Sequence, residues 1–199
     1  MQKLVCRAVA ALLATAGALV TAAPAPAAPN GLDKSDFACR QVGDGTVCSG
    51  SWIFERPPAP SDLDCGAGAS AFTVWDQGIA HSRLTIWLDD SDAITRLVSD
   101  DRWTSAMWSN PLTGKTLPYT QQGVTTIAYG VAGDDATAQV TVRGEVVFTD
   151  PATHRVVQTN VGRVVFSLAT GEILSSAGKQ PLFAPDRAEA LKAACNALS

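Results

Sequence analysis

Residues 138–148 read AQVTVRGEVVF. Val140 and Val142 alternate with Thr141 and Arg143, the two-residue period of a strand with one buried face. After the breaker Asp150-Pro151 the pattern resumes in VVQTNVGRVVFSLA at 156–169. Gly144 and Gly162 fall inside these runs, where a glycine predicts a bulge or a sharp bend. Working outward, LTIWL at 84–88 and VTTIAYG at 124–130 are also rich in strand formers. Thr170-Gly171 in ATGEIL is a hairpin signal. SDAITRLVS at 91–99 has a helical alternative, with Ser91 as cap. It reads as strand because RWTSAMW at 102–108 continues in the same manner. Only PDRAEALKAACNALS at 185–199 is convincingly helical. Pro185 suits a first helical position, Asp186 complements the dipole, and Ala188, Leu191, Cys195 and Leu198 line one face. The expected fold is all-β, an antiparallel barrel or sandwich with one C-terminal α-helix.

The N-terminus predicts export. Lys3 and Arg7 precede the uncharged run AVAALLATAGALVTAA at 8–23, and Ala25 and Ala27 mark an A-x-A cleavage site. The run is shorter than the ~20 residues of a membrane span. We read 1–27 as a signal peptide, 28–38 as a flexible lead-in and 39–199 as a single β domain of a secreted protein. Loss of Lys3 and Arg7 takes Lys+Arg from 15 to 13 against 19 acidic residues, so the net charge moves from -4 to -6. An acidic domain argues against nucleic acid and against anionic membrane as partners. ERPPAPSD at 55–62 reads as a proline-rich connector wrapping an edge of the sheet. There is no repeat of fixed period.

Four cysteines remain after cleavage: Cys39, Cys48, Cys65 and Cys195. In an exported chain they predict two disulfides, with three pairings open. A two-residue turn on Gly43-Asp44, of type II′, sets Cys39 opposite Cys48 in a non-hydrogen-bonded pair. A turn on Asp44-Gly45 spoils that register. Cys39–Cys48 leaves Cys65 with Cys195, a bridge that would pin the helix to the body. No C-x-x-C spacing supports a metal instead.

NPLTGK at 110–115, GRVVF at 162–166, TGEILSSAG at 170–178 and the Cys-containing C-terminal helix resemble an uncharacterised group of small secreted β-rich proteins common in actinobacteria. The resemblance spans roughly Cys39 to Cys195. It implies export and a β-rich fold, and no catalytic residue.

The chemistry-bearing motifs are few. SNPLTGKT at 109–116 ends like a phosphate loop, but Ser109 stands where the first glycine belongs, Pro111 lacks an N–H, and Pro118 stops a following helix. We read it as a hairpin loop. His81 and His154 lie beside turns, and a triad of His81 with Asp89 or Asp90 has no G-x-S-x-G nucleophile to serve. DDSD at 89–92 lacks the glycine and closing Glu of a calcium loop and reads as a turn. Asp100-Asp101 reads as turn or sheet edge. No metal or other cofactor is expected. The five tryptophans, Trp52, Trp75, Trp87, Trp103 and Trp108, divide between core and a possible ligand face. Trp75 and Trp87 are the candidate ligand-binding pair, expected on adjacent strands that turn near Gly78. Phe72, Val74, Leu84, Ile86 and Leu88 are expected on the opposite, core face. The function expected is a non-enzymatic exported domain binding a polysaccharide, or a hydrophobic small molecule. A small-barrel enzyme of isomerase or hydrolase type is the alternative.

Overall fold

The computed structural model describes residues 36–66, 68–179 and 192–199. The signal peptide, the lead-in up to residue 35, and the helix positions Pro185, Asp186, Ala188 and Leu191 lie outside the described residues. Eight strands follow in chain order: β1 (Ala38–Val42), β2 (Gly45–Cys65), β3 (Phe72–Leu88), β4 (Ile94–Ser109), β5 (Thr116–Tyr129), β6 (Ala138–Thr149), β7 (Val156–Ser167) and β8 (Ile173–Lys179). Helix α1 (Lys192–Leu198) comes last. Each strand pairs antiparallel with the next, in one sheet of order β1 to β8. The fold is therefore mainly antiparallel β with a C-terminal helix, as its alternating segments predict. Closure is not observed: among the described residues β8 does not pair with β1, and the strands form one sheet.

Two segments differ from expectation. Residues 55–62 are not a connector but part of β2, with register shifts between Arg56 and Ala59 and between Pro60 and Asp64. Beyond Ser49, β2 pairs among the described residues only with β3, so prolines that lack an N–H sit on the side away from that ladder. Just ahead of residue 39, the Phe37 ring meets Trp52 edge-on at 5.5 Å. Asp100 and Asp101 lie within β4 and not in a turn.

Both disulfides are present. Val42 pairs with Gly45, leaving Gly43-Asp44 as the turn, and Gly43 has φ 60° while Asp44 is not left-handed. That geometry fits the type II′ turn. Cys39 faces Cys48 with Cα atoms 4.0 Å apart, and Cys65 joins Cys195 at 5.3 Å.

The inward face carries two apolar clusters. One contains Cys48, Leu84, Ile86, Leu97, Ile127 and Val140. The other contains Phe72, Val74, Trp103, Trp108, Tyr119 and Phe148, and it receives Ala194 and Leu198 from α1. A single row of residues across the sheet divides them. Trp52 pairs with Ser82, Ser82 with Asp101, Asp101 with Gly123, and then Gly123, Gly144, Gly162 and Gly178 follow on successive strands. The glycines are a crease. At Gly144, φ is 157° and an added Cβ would lie 2.3 Å from the Gln122 carbonyl oxygen on the neighbouring strand. No register shift occurs there, so Gly144 and Gly162 are bends and not bulges. Strands so close at the crease let each long strand serve both clusters.

Three hairpin loops share one geometry. At Asn110, Asp150 and Ser167 the N–H donates to the carbonyl five residues on, and the carbonyl accepts from the N–H four residues on, all at 2.9–3.0 Å. The fourth residue on is left-handed in each: Gly114 (72°), His154 (55°) and Gly171 (69°). Side chains brace all three: the Asn110 Oδ1 accepts from the Leu112 N–H, the Asp150 Oδ1 from those of Ala152 and Thr153, and the Ser167 Oγ from that of Thr170 at 3.4 Å.

Candidate functional site

The outward face does not assemble the expected tryptophan pair. Trp75 and Trp87 do point away from the core, as the alternation predicts, while Phe72, Val74, Leu84, Ile86 and Leu88 are buried. They lie, however, on the same strand, because β3 runs unbroken from Phe72 to Leu88. Gly78 does not turn the chain: an added Cβ there would meet Trp103 and Ala106 at 3.1 Å, so it is a close-packing position. Twelve residues of strand separate the two indoles by up to about 40 Å. Trp87 is covered by the Arg96 guanidinium at 5.0 Å. Trp75 is 36% exposed, between Pro60 on β2 and Ser109 on β4. One small ligand cannot span both.

The inward face instead gathers polar groups. In β3 the buried phase runs Phe72, Val74, Asp76, which puts a carboxylate where an apolar residue belongs. The Tyr119 hydroxyl donates to the Asp76 Oδ1 at 2.9 Å, and the Arg56 Nη1 donates to the Oδ2 in a tight ion pair. Arg56 also stacks over the Trp103 ring at 4.6 Å, and Phe54 meets Trp103 edge-on at 6.5 Å. Asp76 on β3 and Tyr119 on β5 stand two strands apart, so their bond reaches across β4 on the inward face. Burial pushes the Asp76 carboxyl above its ordinary value, with Arg56 and the Tyr119 hydroxyl opposing the shift. Burial and the neighbouring Asp76 charge push the Tyr119 hydroxyl up as well.

Asp101 occupies the crease row. It is 2% exposed and accepts from the Ser82 Oγ at 2.5 Å and the Ser99 Oγ at 2.8 Å. Burial raises its carboxyl, and the two hydroxyls hold it back only in part. Further along, Gln158 and Asn160 belong to the buried phase of β7, opposite Phe148 and Val146. Both are more than nine-tenths buried. Among the described residues the Gln158 Nε2 and Oε1 and the Asn160 Oδ1 have no hydrogen-bond partner. Such groups are rare in folded proteins, because leaving one unsatisfied costs about 1–3 kcal/mol.

The remaining candidates are structural. Lys115 of the GKT stretch donates to the Ser199 main-chain oxygen, and the Asn110 Nδ2 donates to the Leu198 carbonyl at 3.0 Å. That loop fastens α1. His81 points outward at mid-β3, opposite Ile53 and Arg102, eight residues from Asp89, so no triad forms. His154 sits in its hairpin loop. The Asp89 Oδ1 accepts from the N–H groups of Ser91 and Ala93 and from the Ser91 hydroxyl, which closes the β3–β4 turn and holds its carboxyl below the usual range.

No family model, curated protein or solved structure matches this chain. The site must be read from its own geometry. Asp76, Asp101, Gln158 and Asn160 share one signal that was visible beforehand: a polar residue in the apolar phase of an alternating strand.

Proposed function

We propose that this protein is an exported, non-enzymatic binding domain and that its ligand lies against the inward face of the sheet, curled as an open half-barrel. The N-terminal pattern, the two disulfides and the resemblance to secreted actinobacterial proteins support export. No helix among the described residues is long and apolar enough to cross a membrane. The observation that carries the binding reading is the pair of buried amides on β7 with unpartnered polar atoms. A ligand with a neutral polar edge, a sugar hydroxyl pair or an amide, would supply the missing partners. Arg56 is already committed to Asp76 and Trp103, so an acidic ligand has no free cation there.

The test combines binding with stability. A panel of neutral sugars and flat amphipathic amides is screened against the protein by saturation-transfer NMR. Gln158→Leu and Asn160→Leu are expected to lose the ligand while gaining about 1 kcal/mol or more in urea denaturation, because an unsatisfied buried group is removed. If both variants are instead destabilised and the wild type binds nothing in the panel, the amides are core members held by ordered water and the reading fails.

The second reading is a small-barrel enzyme. The buried carboxyls of Asp76 and Asp101, both pushed above their ordinary value by burial, favour it as candidate acid–base groups. Turnover lost in Asp76→Asn with ligand binding retained would select it.

A further inference from the structure

We propose that the outward face of β6–β8 binds a flexible phosphodiester polymer through Arg143, Arg163 and Lys179. Arg143 and Arg163 are directly paired across β6 and β7. Lys179 pairs with Val161 on β8 and stands diagonal to Arg163 on the same face. All three are exposed. Opposite residues have Cβ atoms about 4.5–5.5 Å apart, diagonal neighbours lie about 7–8 Å apart, and like charges set opposite each other destabilise a sheet.

The repulsion is left standing in a chain that has acid to spare, with Asp+Glu 19 against Lys+Arg 15. Among the described residues none of the three cations makes an ion pair. Glu145, the nearest carboxylate on that face, accepts from the Gln122 Nε2 at 2.8 Å instead. Each cation adjoins a crease glycine: Arg143 precedes Gly144, Arg163 follows Gly162 and Lys179 follows Gly178. The register fixes the backbone positions from which the three cations extend. Guanidinium forks suit phosphate oxygens. A flexible single chain can meet three cations and leave. A rigid duplex would extend over the acidic remainder of the molecule.

The probe is a short synthetic poly(glycerol phosphate), titrated calorimetrically into the full chain at several salt concentrations. Three phosphate contacts predict that log affinity falls with log salt with a slope of about 2. Arg143→Gln with Arg163→Gln should weaken binding at least tenfold and bring the slope below about 1. The same double variant should be no less stable in urea, since it removes a like-charge pair; this separates lost binding from lost folding. Arg40→Gln with Arg155→Gln, exposed cations elsewhere, should leave binding unchanged. The proposal is overturned if the Arg143/Arg163 variant binds like the wild type. It is equally overturned if binding ignores salt, or if duplex DNA binds as tightly as the polymer.

Discussion

Asp101 brings a carboxyl into the middle of the sheet, where it accepts from two serine hydroxyls. Its proton is held more tightly in the folded chain than at the ordinary value of 3.8. Between the unfolded and the folded pKa the native state therefore binds more protons, and stability falls as pH rises through that window. Below the window the group costs nothing, and above it the full cost of a buried charge is present. Asp101→Asn keeps the shape and removes the titration. Relative to that variant, the wild type should lose stability as pH rises from about 4, then stay at a constant offset once Asp101 has ionised. Urea midpoints of the two proteins, measured side by side across the acid range, check this; a difference that stays flat throughout would refute it. The same comparison cancels Asp76, whose raised carboxyl contributes with the same sign in both proteins.

At the scale of the element, the crease is where a strand must bend without slipping register. Gly144 meets the neighbouring backbone so closely that a Cβ would stand 2.3 Å from the Gln122 oxygen and 2.6 Å from the Gly123 Cα. Gly123 is more forgiving, with its nearest contact, the Arg143 oxygen, at 3.0 Å and no left-handed φ. Gly144→Ala should cost more than the ~1–3 kcal/mol of a strained backbone alone, because the partner strand must also move. Gly123→Ala should cost clearly less. Thermal unfolding of the two variants ranks them, and equal losses would mean that the crease has room to relax. The alternation of residues 138–148 was enough to place the strands, and a glycine in each run was enough to expect a disruption. Whether that disruption was a bulge or a bend was not legible, because it depends on whether the glycines of four strands line up. Only the register shows that. For the same reason Trp75 and Trp87 were assigned the correct face but the wrong relationship. Face follows from local alternation, whereas the length of β3 follows from its pairing with both neighbours.

For the whole molecule, the helix is held to the sheet by one covalent bond and a few caps. Cys65–Cys195 closes a separation of 130 residues and Cys39–Cys48 one of 9. The chain-entropy model assigns about 5 kcal/mol to the long loop and about 2.5 to the short one. Replacing Cys65 and Cys195 with Ser should therefore destabilise the protein more than replacing Cys39 and Cys48. It should also free α1, whose Ala194 and Leu198 fill the cluster around Phe148 and Trp108. Increased binding of an environment-sensitive apolar dye by the first variant, and not by the second, would show that the helix has left the sheet. Equal stability of the two variants would mean that the Asn110 and Lys115 bonds to Leu198 and Ser199 suffice to hold it.

What the sequence determined alone is whatever depends on near neighbours. The two-residue period placed the strands and their faces, and the position of Gly43-Asp44 between two cysteines favoured the Cys39–Cys48 pairing without excluding the others. Loop residues Asn110, Asp150 and Gly114 announced hairpins because their side chains and φ preferences act over four or five residues. Tertiary structure alone decided which polar residues meet. Arg56, Asp76 and Tyr119 stand on three different strands and are far apart in sequence, yet the strand register brings them together. Arg143, Arg163 and Lys179 become a cluster only through the register of β6, β7 and β8. Alternation tells each residue which side of the sheet it faces, but pairing and curvature decide what it faces there.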